Sequence, residues 1–295
     1  MDIFGYDLPS SANVQTFFGF NNAGNSVNTS LYTWTRPLNA SMVFIMAVGA
    51  GGGGGAGASG SGTIRGGGGG GGSGATVTAI MPALFIPDRL YVHLGKGGDP
   101  GTAGSNTVIS VYDTFNYSNT EFFVLWAGSG GAGGTGTTSG GTGGSQGAAP
   151  AKTALSLLLA SYVSVGGGSG TTGGATSNGL SQASSLILRF YGGTGGGGLP
   201  ASAGTTTNGG LFTASGGVFM SRPGATGPGD DGILQTYNLA PYIIYGGMGG
   251  ASLEGGTGSN GGDGAPGTGG GGGGSGTTGG TGGSGGDGFV IIATW

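Results

Sequence analysis

Glycine stands at every third position from Gly255 to Gly288, a register kept through Gly258, Gly261, Gly264, Gly267, Gly270, Gly273, Gly276, Gly279, Gly282 and Gly285. Three is the period of the polyproline-II helix, an extended left-handed screw rising ~3.1 Å per residue with no hydrogen bonds inside it. An isolated chain of this kind is solvated and has no reason to hold a register. Packed side by side, such helices touch backbone to backbone, and the residue on each contact face must lack a side chain. The N–H and C=O groups then pair between neighbours, which meets the requirement that buried backbone groups be hydrogen-bonded. Collagen uses the same geometry with abundant proline. Here 11 prolines serve 295 residues and Pro266 alone enters the long tract, so collagen is excluded. Ordered glycine-rich β loops and flexible Gly/Ser linkers are the competing readings of the glycine blocks. The unbroken register favours packed helices over both.

Similar blocks recur at 49–62, 66–74, 128–147, 166–179 and 192–198, and glycine reaches 83 of 295 residues. Fixing a residue costs ~1–2 kcal/mol of backbone entropy, most for glycine, against a net ~1 kcal/mol per hydrogen bond. Glycine blocks alone barely hold, so an apolar clamp is required. The runs Met42–Val48, Thr76–Met81, Leu90–Leu94, Thr107–Tyr112, Glu121–Ala127, Leu155–Val165, Ser185–Tyr191, Tyr242–Tyr245 and Phe289–Thr294 supply it. Rich in aliphatic and aromatic residues and bounded by Gly and Pro, they read as strands. Several lead straight into glycine, as Val48 does into Gly49 and Ala127 into Gly128. Glycine costs ~1 kcal/mol per helical position relative to alanine, which leaves Ala151–Leu159 as the single candidate helix. The expected fold class is all-β: a β-rich, glycine-rich domain with packed polyglycine-II helices, spanning residues 31–295 behind an N-terminal arm of residues 1–30.

Composition removes several chemistries. Without cysteine there is no disulfide scaffold and no thiolate metal or redox site. The basic residues Arg36, Arg65, Arg89, Lys96, Lys152, Arg189 and Arg222 are scattered singly, and the formal charge is −4, which does not make a nucleic-acid groove. The start of the chain carries acids in place of a basic signal region, and the longest apolar run, Leu155–Val165, is too short to span a bilayer. Gly-x-Gly-x-x-Gly carries no information in this composition, and Gly95-Lys96-Gly97 lacks the hydroxyl residue of a phosphate loop. His93, alone of its type, reads as a packed or hydrogen-bonded strand residue. Asp263-Gly264 and Asp287-Gly288 read as turn or helix-edge positions. Asp230 and Asp231 form either a solvated turn or a calcium site. No catalytic constellation emerges, and the chain reads as a non-enzyme without cofactor.

Two glycine-poor stretches stand out. Asp113, Phe115, Asn116, Tyr117 and Asn119 lie between two strands and mix aromatic faces with polar groups, as saccharide-binding surfaces do; a packed hairpin loop is the simpler alternative. The N-terminal Phe4, Tyr6, Phe17, Phe18 and Phe20 are too apolar to stay bare and read as an arm that docks on a partner.

Trp34-Thr35-Arg36-Pro37, followed by Met42–Val48 and Gly49-Ala50, resembles the opening of the glycine-rich domain of tail-fibre and other surface proteins of tailed bacteriophages. Leu90-Tyr91-Val92-His93-Leu94-Gly95-Lys96-Gly97-Gly98 resembles its middle strand, and Gly285-Gly286-Asp287-Gly288-Phe289-Val290-Ile291-Ile292 its closing strand. A second resemblance is to phage adhesin tips built on packed polyglycine-II helices. The resemblance implies a virion structural protein, made in the host cytoplasm and displayed on the particle surface, of tail-fibre or adhesin type. Capsid decoration or a head fibre is the alternative, and a self-assembling extracellular filament a further one. The implied partners are other copies of the chain, in a homotrimer or another homo-oligomer, other virion proteins through the arm, and host-surface glycans.

Overall fold

In the computed structural model, all residues are described except 1, 4–5, 8, 20–28, 62, 114–122, 149–160, 166–169, 181, 184–189, 202–205, 214–225, 228, 230–233 and 238–239. The chain is all-β. Its strands are β1 (Asp2–Ile3), β2 (Tyr6–Asp7), β3 (Asn13–Phe18), β4 (Thr29–Thr35), β5 (Met42–Val48), β6 (Thr76–Pro82), β7 (Arg89–Gly95), β8 (Thr107–Ser110), β9 (Phe123–Ala127), β10 (Ser161–Val165), β11 (Gln182–Ala183), β12 (Phe212–Thr213), β13 (Leu234–Tyr237), β14 (Ala240–Ile244), β15 (Leu253–Thr257), β16 (Gly276–Thr278) and β17 (Phe289–Thr294). Among the described residues the only helix is the single 3-10 turn Ala83–Phe85. The expected helix Ala151–Leu159 lies outside the described residues.

Two antiparallel sheets pack face to face, one in the order β10-β6-β5-β17-β3 and one in the order β4-β7-β8-β9. Side chains alternate across each strand. Val43, Ile45 and Ala47 of β5 and Val290 and Ile292 of β17 enter the core between the sheets with Trp34, Leu90, Val92 and Ile109. Phe44, Met46, Val48, Phe289, Ile291 and Ala293 point the other way, into a second core with Phe190, Ile244 and Ala265. Burial on both faces is why β5 and β17 read as uninterrupted apolar runs. The N-terminal stretch differs from a free arm: β3 pairs along its length with β17, from Asn13 opposite Thr294 to Phe18 opposite Phe289. Phe17 packs on the main core, and the Phe18 ring lies 5.7 Å from that of Phe289.

Strands leave the sandwich directly as glycine segments. The segment 66–74 shows how these are joined. The consecutive amides of Gly66, Gly67 and Gly68 donate to Thr137, Gly174 and Gly273, on three different neighbours. Three residues on, Gly69, Gly70 and Gly71 donate to Gly134, Thr171 and Gly270 on the same three. Its carbonyls accept from three more segments: Gly69 from Gly55, Gly70 from Gly144 and Gly71 from Gly193. Six neighbours thus surround one chain. The segment 268–276 is placed likewise, with Gly270, Gly271 and Gly272 donating to Gly52, Gly262 and Thr194. A hydrogen-bond direction that returns every third residue is the pattern packed polyglycine-II chains require.

Close approach explains the composition. A Cβ added at Gly69, Gly70 or Gly71 would stand 2.0, 2.1 and 2.0 Å from the carbonyl oxygens of Thr142, Gly193 and Gly52. All three faces of this interior segment are closed, and Gly66–Gly72 is unbroken glycine. At the periphery, Gly282 and Gly283 press on the Gly54 and Gly262 oxygens, while Thr281 is exposed. Two glycine rows, rather than the single row of the every-third register, therefore carry contacts in 279–288. The register also passes through reversals, where glycine does a different job. In Ala265-Pro266-Gly267-Thr268 the Thr268 amide donates to Ala265 and Gly267 takes φ 76°, the left-handed value a type II turn needs after proline.

These contacts set the sensitivity of the fold. Gly70→Val is expected to cost at least ~3 kcal/mol, because backbone on every side blocks relief of the overlap. Gly283→Val should be as damaging as Gly282→Val, and Thr281→Val should stay within ~0.5 kcal/mol. Denaturant unfolding of the four variants measures this; tolerance of Gly283→Val would restore the single-row picture.

Candidate functional site

Interior glycine segments present no side chains, so among the described residues recognition chemistry lies on the flanks and at the two ends. Along the flanks, side-chain oxygens replace missing neighbours. Asn260 Oδ1 accepts from the Thr281 amide at 3.0 Å and Asp263 Oδ1 from Ser284 at 2.6 Å. Ser59 Oγ accepts from Gly279 at 2.8 Å, and Asp287 Oδ1 from Gly97 at 2.7 Å. The helix-edge positions read from the sequence at Asp263 and Asp287 are of this kind. Burial raises the Asp287 carboxyl above its ordinary value, opposed by the Gly97 amide and by Lys96. His93 is buried with Nε2 3.3 Å from Ser110 Oγ, and desolvation holds it below its ordinary value, against the Tyr112 carbonyl and Asp113. It is a packed strand residue, as its surroundings in the sequence indicate.

At the strand end, β5 begins, β17 finishes and β3 starts beside it. Arg36 ties the two loops here: Nη1 donates to Ala83 at 2.6 Å and Ile86 at 3.0 Å, and Nη2 pairs with Asp88. Beside this staple lies a groove of about 520 Å³ lined by Leu38, Ala40 and Leu84, among others. Leu38 is 93% exposed, Leu84 84% and Phe85 50%. β8 ends and β9 begins at this same end. The loop between them, read from the sequence as a receptor contact, therefore departs from here. Asp113 is exposed; Phe115, Asn116, Tyr117 and Asn119 lie outside the described residues. So do Phe4, Phe20, Asp230 and Asp231, while Tyr6 belongs to β2.

The opposite end is made by the reversals of the glycine segments. Arg65 is buried there, its Nη1 donating to Gly60 at 2.8 Å and its Nε to Thr63 at 3.2 Å. Its backbone pairs with Leu199 in both directions. The Gly60 amide donates to Gly276 and Thr277 and Ser59 bridges to Gly276, which draws Ser59 and Gly60 against 276–278. Ile64 and Leu253 are 40% and 45% exposed, amid the exposed Thr63, Thr277 and Thr278. Sequence reasoning missed this surface because the reversals share no motif; the signal present was the interruption of glycine by Ile64 and Leu253. Among the described residues, no group of three His, Cys, Asp or Glu side chains could hold a metal ion. Nor, among them, is any helix long and apolar enough to cross a membrane.

The glycine-rich domain family matches residues 26–295. The chain belongs to this family. The match takes in both sheets except β3, and every glycine segment, so the lattice and its strand clamp are one family unit. No curated protein matches the chain.

Asp287 supplies a test of the edge caps. Its folded pKa is raised, so the native state binds the proton more tightly than the unfolded chain. Stability is then highest in acid and falls as pH rises from the ordinary carboxylate value through the raised one. Asp287→Asn keeps the Oδ1 acceptor without the charge and should match or exceed the parent stability at pH 7, with that pH dependence removed. Asp287→Ala loses the cap and should cost ~1–2 kcal/mol. Urea melts across the acid range check both.

Proposed function

We propose that this chain is a non-enzymatic structural protein of a bacteriophage virion, displayed on the particle as a tail-fibre or adhesin-type component that contacts the host surface. The observation carrying this reading is the polarity of the molecule. A hydrogen-bonded glycine lattice projects from a β clamp, and each end carries exposed apolar side chains: Leu38, Leu84 and Phe85 at the strand end, Ile64 and Leu253 at the lattice end. Nine residues in the lattice geometry span about 28 Å at ~3.1 Å per residue, enough to hold the Ile64–Leu253 surface well clear of the sandwich. The strand end, where β3 starts and Leu38, Leu84 and Phe85 are exposed, is the attachment end. There the chain meets other copies in a homo-oligomer and other virion proteins, since exposed apolar groups of this size mark interfaces. Repeated presentation of the lattice tip by an oligomer supplies avidity from individually weak contacts. Host-surface glycans are the proposed ligand class, met through aliphatic and hydroxyl groups at the tip.

The test separates the ends. Ile64→Asp with Leu253→Asp should lower adsorption of the particle roughly tenfold, as loss of contact residues does, with incorporation unchanged. Leu38→Asp with Leu84→Asp should impair incorporation. Phe115→Ala with Tyr117→Ala probes the strand-end loop. If only that variant loses adsorption, the host-facing end is the strand end. If purified chain neither binds cells nor competes with particles, and the tip variant adsorbs normally, the attachment reading fails and a capsid-decoration role takes its place.

A further inference from the structure

Asparagine followed by glycine is chemically unstable, because glycine, having no Cβ, leaves its own amide nitrogen unhindered to attack the asparagine side chain. The chain has three such pairs, Asn178-Gly179, Asn208-Gly209 and Asn260-Gly261. The lattice treats them differently. At Asn260 the side-chain Oδ1 accepts from Thr281 at 3.0 Å, and the Gly261 nitrogen donates to the Thr281 oxygen at 2.9 Å. At Asn178 the Oδ1 accepts from the Asn208 amide at 2.9 Å, and the Gly179 nitrogen donates to Asn208 at 3.0 Å. In both pairs electrophile and nucleophile are tied to other segments. Asn208 has its backbone N–H and C=O engaged by Asn178 and Gly179. Its side-chain amide has no hydrogen bond to a described residue, and neither has the Gly209 nitrogen. Asn208 is half-buried and Gly209 buried, whereas Asn178 and Asn260 are exposed, so it is the missing hydrogen-bond restraint, and not exposure, that sets Asn208 apart.

We infer that Asn208 is a site of spontaneous backbone-mediated deamidation, and that the lattice protects Asn178 and Asn260 from the same reaction. Gly209 is buried, but its amide donates to no described residue, so a small outward shift exposes it; hydroxide then removes the amide proton, and the nitrogen forms a bond to Asn208 Cγ. Nδ2 takes a proton from water, the Cγ–Nδ2 bond breaks and ammonia leaves, regenerating hydroxide and giving a five-membered succinimide. One water then opens either carbonyl, yielding aspartate or isoaspartate. The isoaspartate product inserts a methylene into the backbone. The extra atom displaces Gly209, which packs on the Gly249 oxygen, and Gly210, whose amide donates to Gly195 at 2.8 Å. Modification thus starts a local loosening of 207–210 from the lattice and adds negative charge when it occurs.

Purified full-length chain held folded at mildly alkaline pH, sampled over days and mapped by peptide mass spectrometry with isoaspartate detection, tests this. Asn208 should convert at least ~10-fold faster than Asn178 and Asn260, whose reaction waits for local opening. In denaturant the three sites should converge to similar rates. Equal rates at all three in the folded chain, or slower conversion at Asn208, would overturn the inference. Asn208→Gln should remove the fast phase and leave the slow conversions at the other two sites; a fast phase that persists would also refute it.

Discussion

A carbonyl oxygen resting against a glycine Cα, with the next amide hydrogen-bonded to a different chain segment, is the contact on which this structure depends. It permits segments with no hydrophobic side chains to pack at interior density, and it forbids nearly every substitution on the contact face. The exchange is thermodynamically thin. Each ordered glycine costs ~1–2 kcal/mol in backbone entropy, and each hydrogen bond returns about 1 kcal/mol. The lattice therefore depends on ends fixed by something else. Here the fixing element is the sandwich, whose strands β5, β6, β7, β8, β9 and β17 adjoin glycine segments without long linkers. Tyr191, Phe212, Tyr245 and Met248 form a further buried cluster at the base of the lattice.

Much of this was legible in the residues, for reasons that differ by element. Met42–Val48 and Phe289–Thr294 emerge with their bounds because burial on both faces leaves a continuous apolar run. Asn13–Phe18 does not, because an edge strand needs only one half-apolar face and its N-V-Q-T-F-F pattern resembles a loop. Thr29–Thr35 carried a usable signal in alternate Tyr32 and Trp34, which point to the main core, but Thr and Ser diluted it. The register of three revealed that glycine segments pack. The number of neighbours was encoded separately, in the glycines per triplet: all three for Gly66–Gly72, two of three for 279–288. Which segments meet was not legible, since identical glycine runs carry no partner code and the strands decide the pairing. The lattice-tip surface was hidden for the same reason, being assembled from reversals far apart in sequence.

A lattice of this kind separates mechanical from recognition duties. Among the described residues, interior positions are fixed by backbone contact and parts of the flanks by Asn, Asp and Ser oxygens that stand in for absent carbonyls, while exposed flank positions such as Thr281 and the ends are open to variation in side chain. The reading of the chain as a displayed virion component rests on that division, with attachment at the strand end and contact at the tip. Edge caps also decide chemical durability, since the same hydrogen bonds that close the lattice restrain the asparagines that close it.

Residue-resolved amide hydrogen exchange tests the lattice most directly. If the glycine segments are held by inter-segment hydrogen bonds and clamped by the sandwich, the amides of Gly66–Gly72 and Gly269–Gly274 should exchange only through global unfolding. Their protection should equal that of β5 and β17, although they lie in no β-strand. Exchange of those amides at the rate of an unstructured glycine linker, with β5 and β17 still protected, would contradict the account.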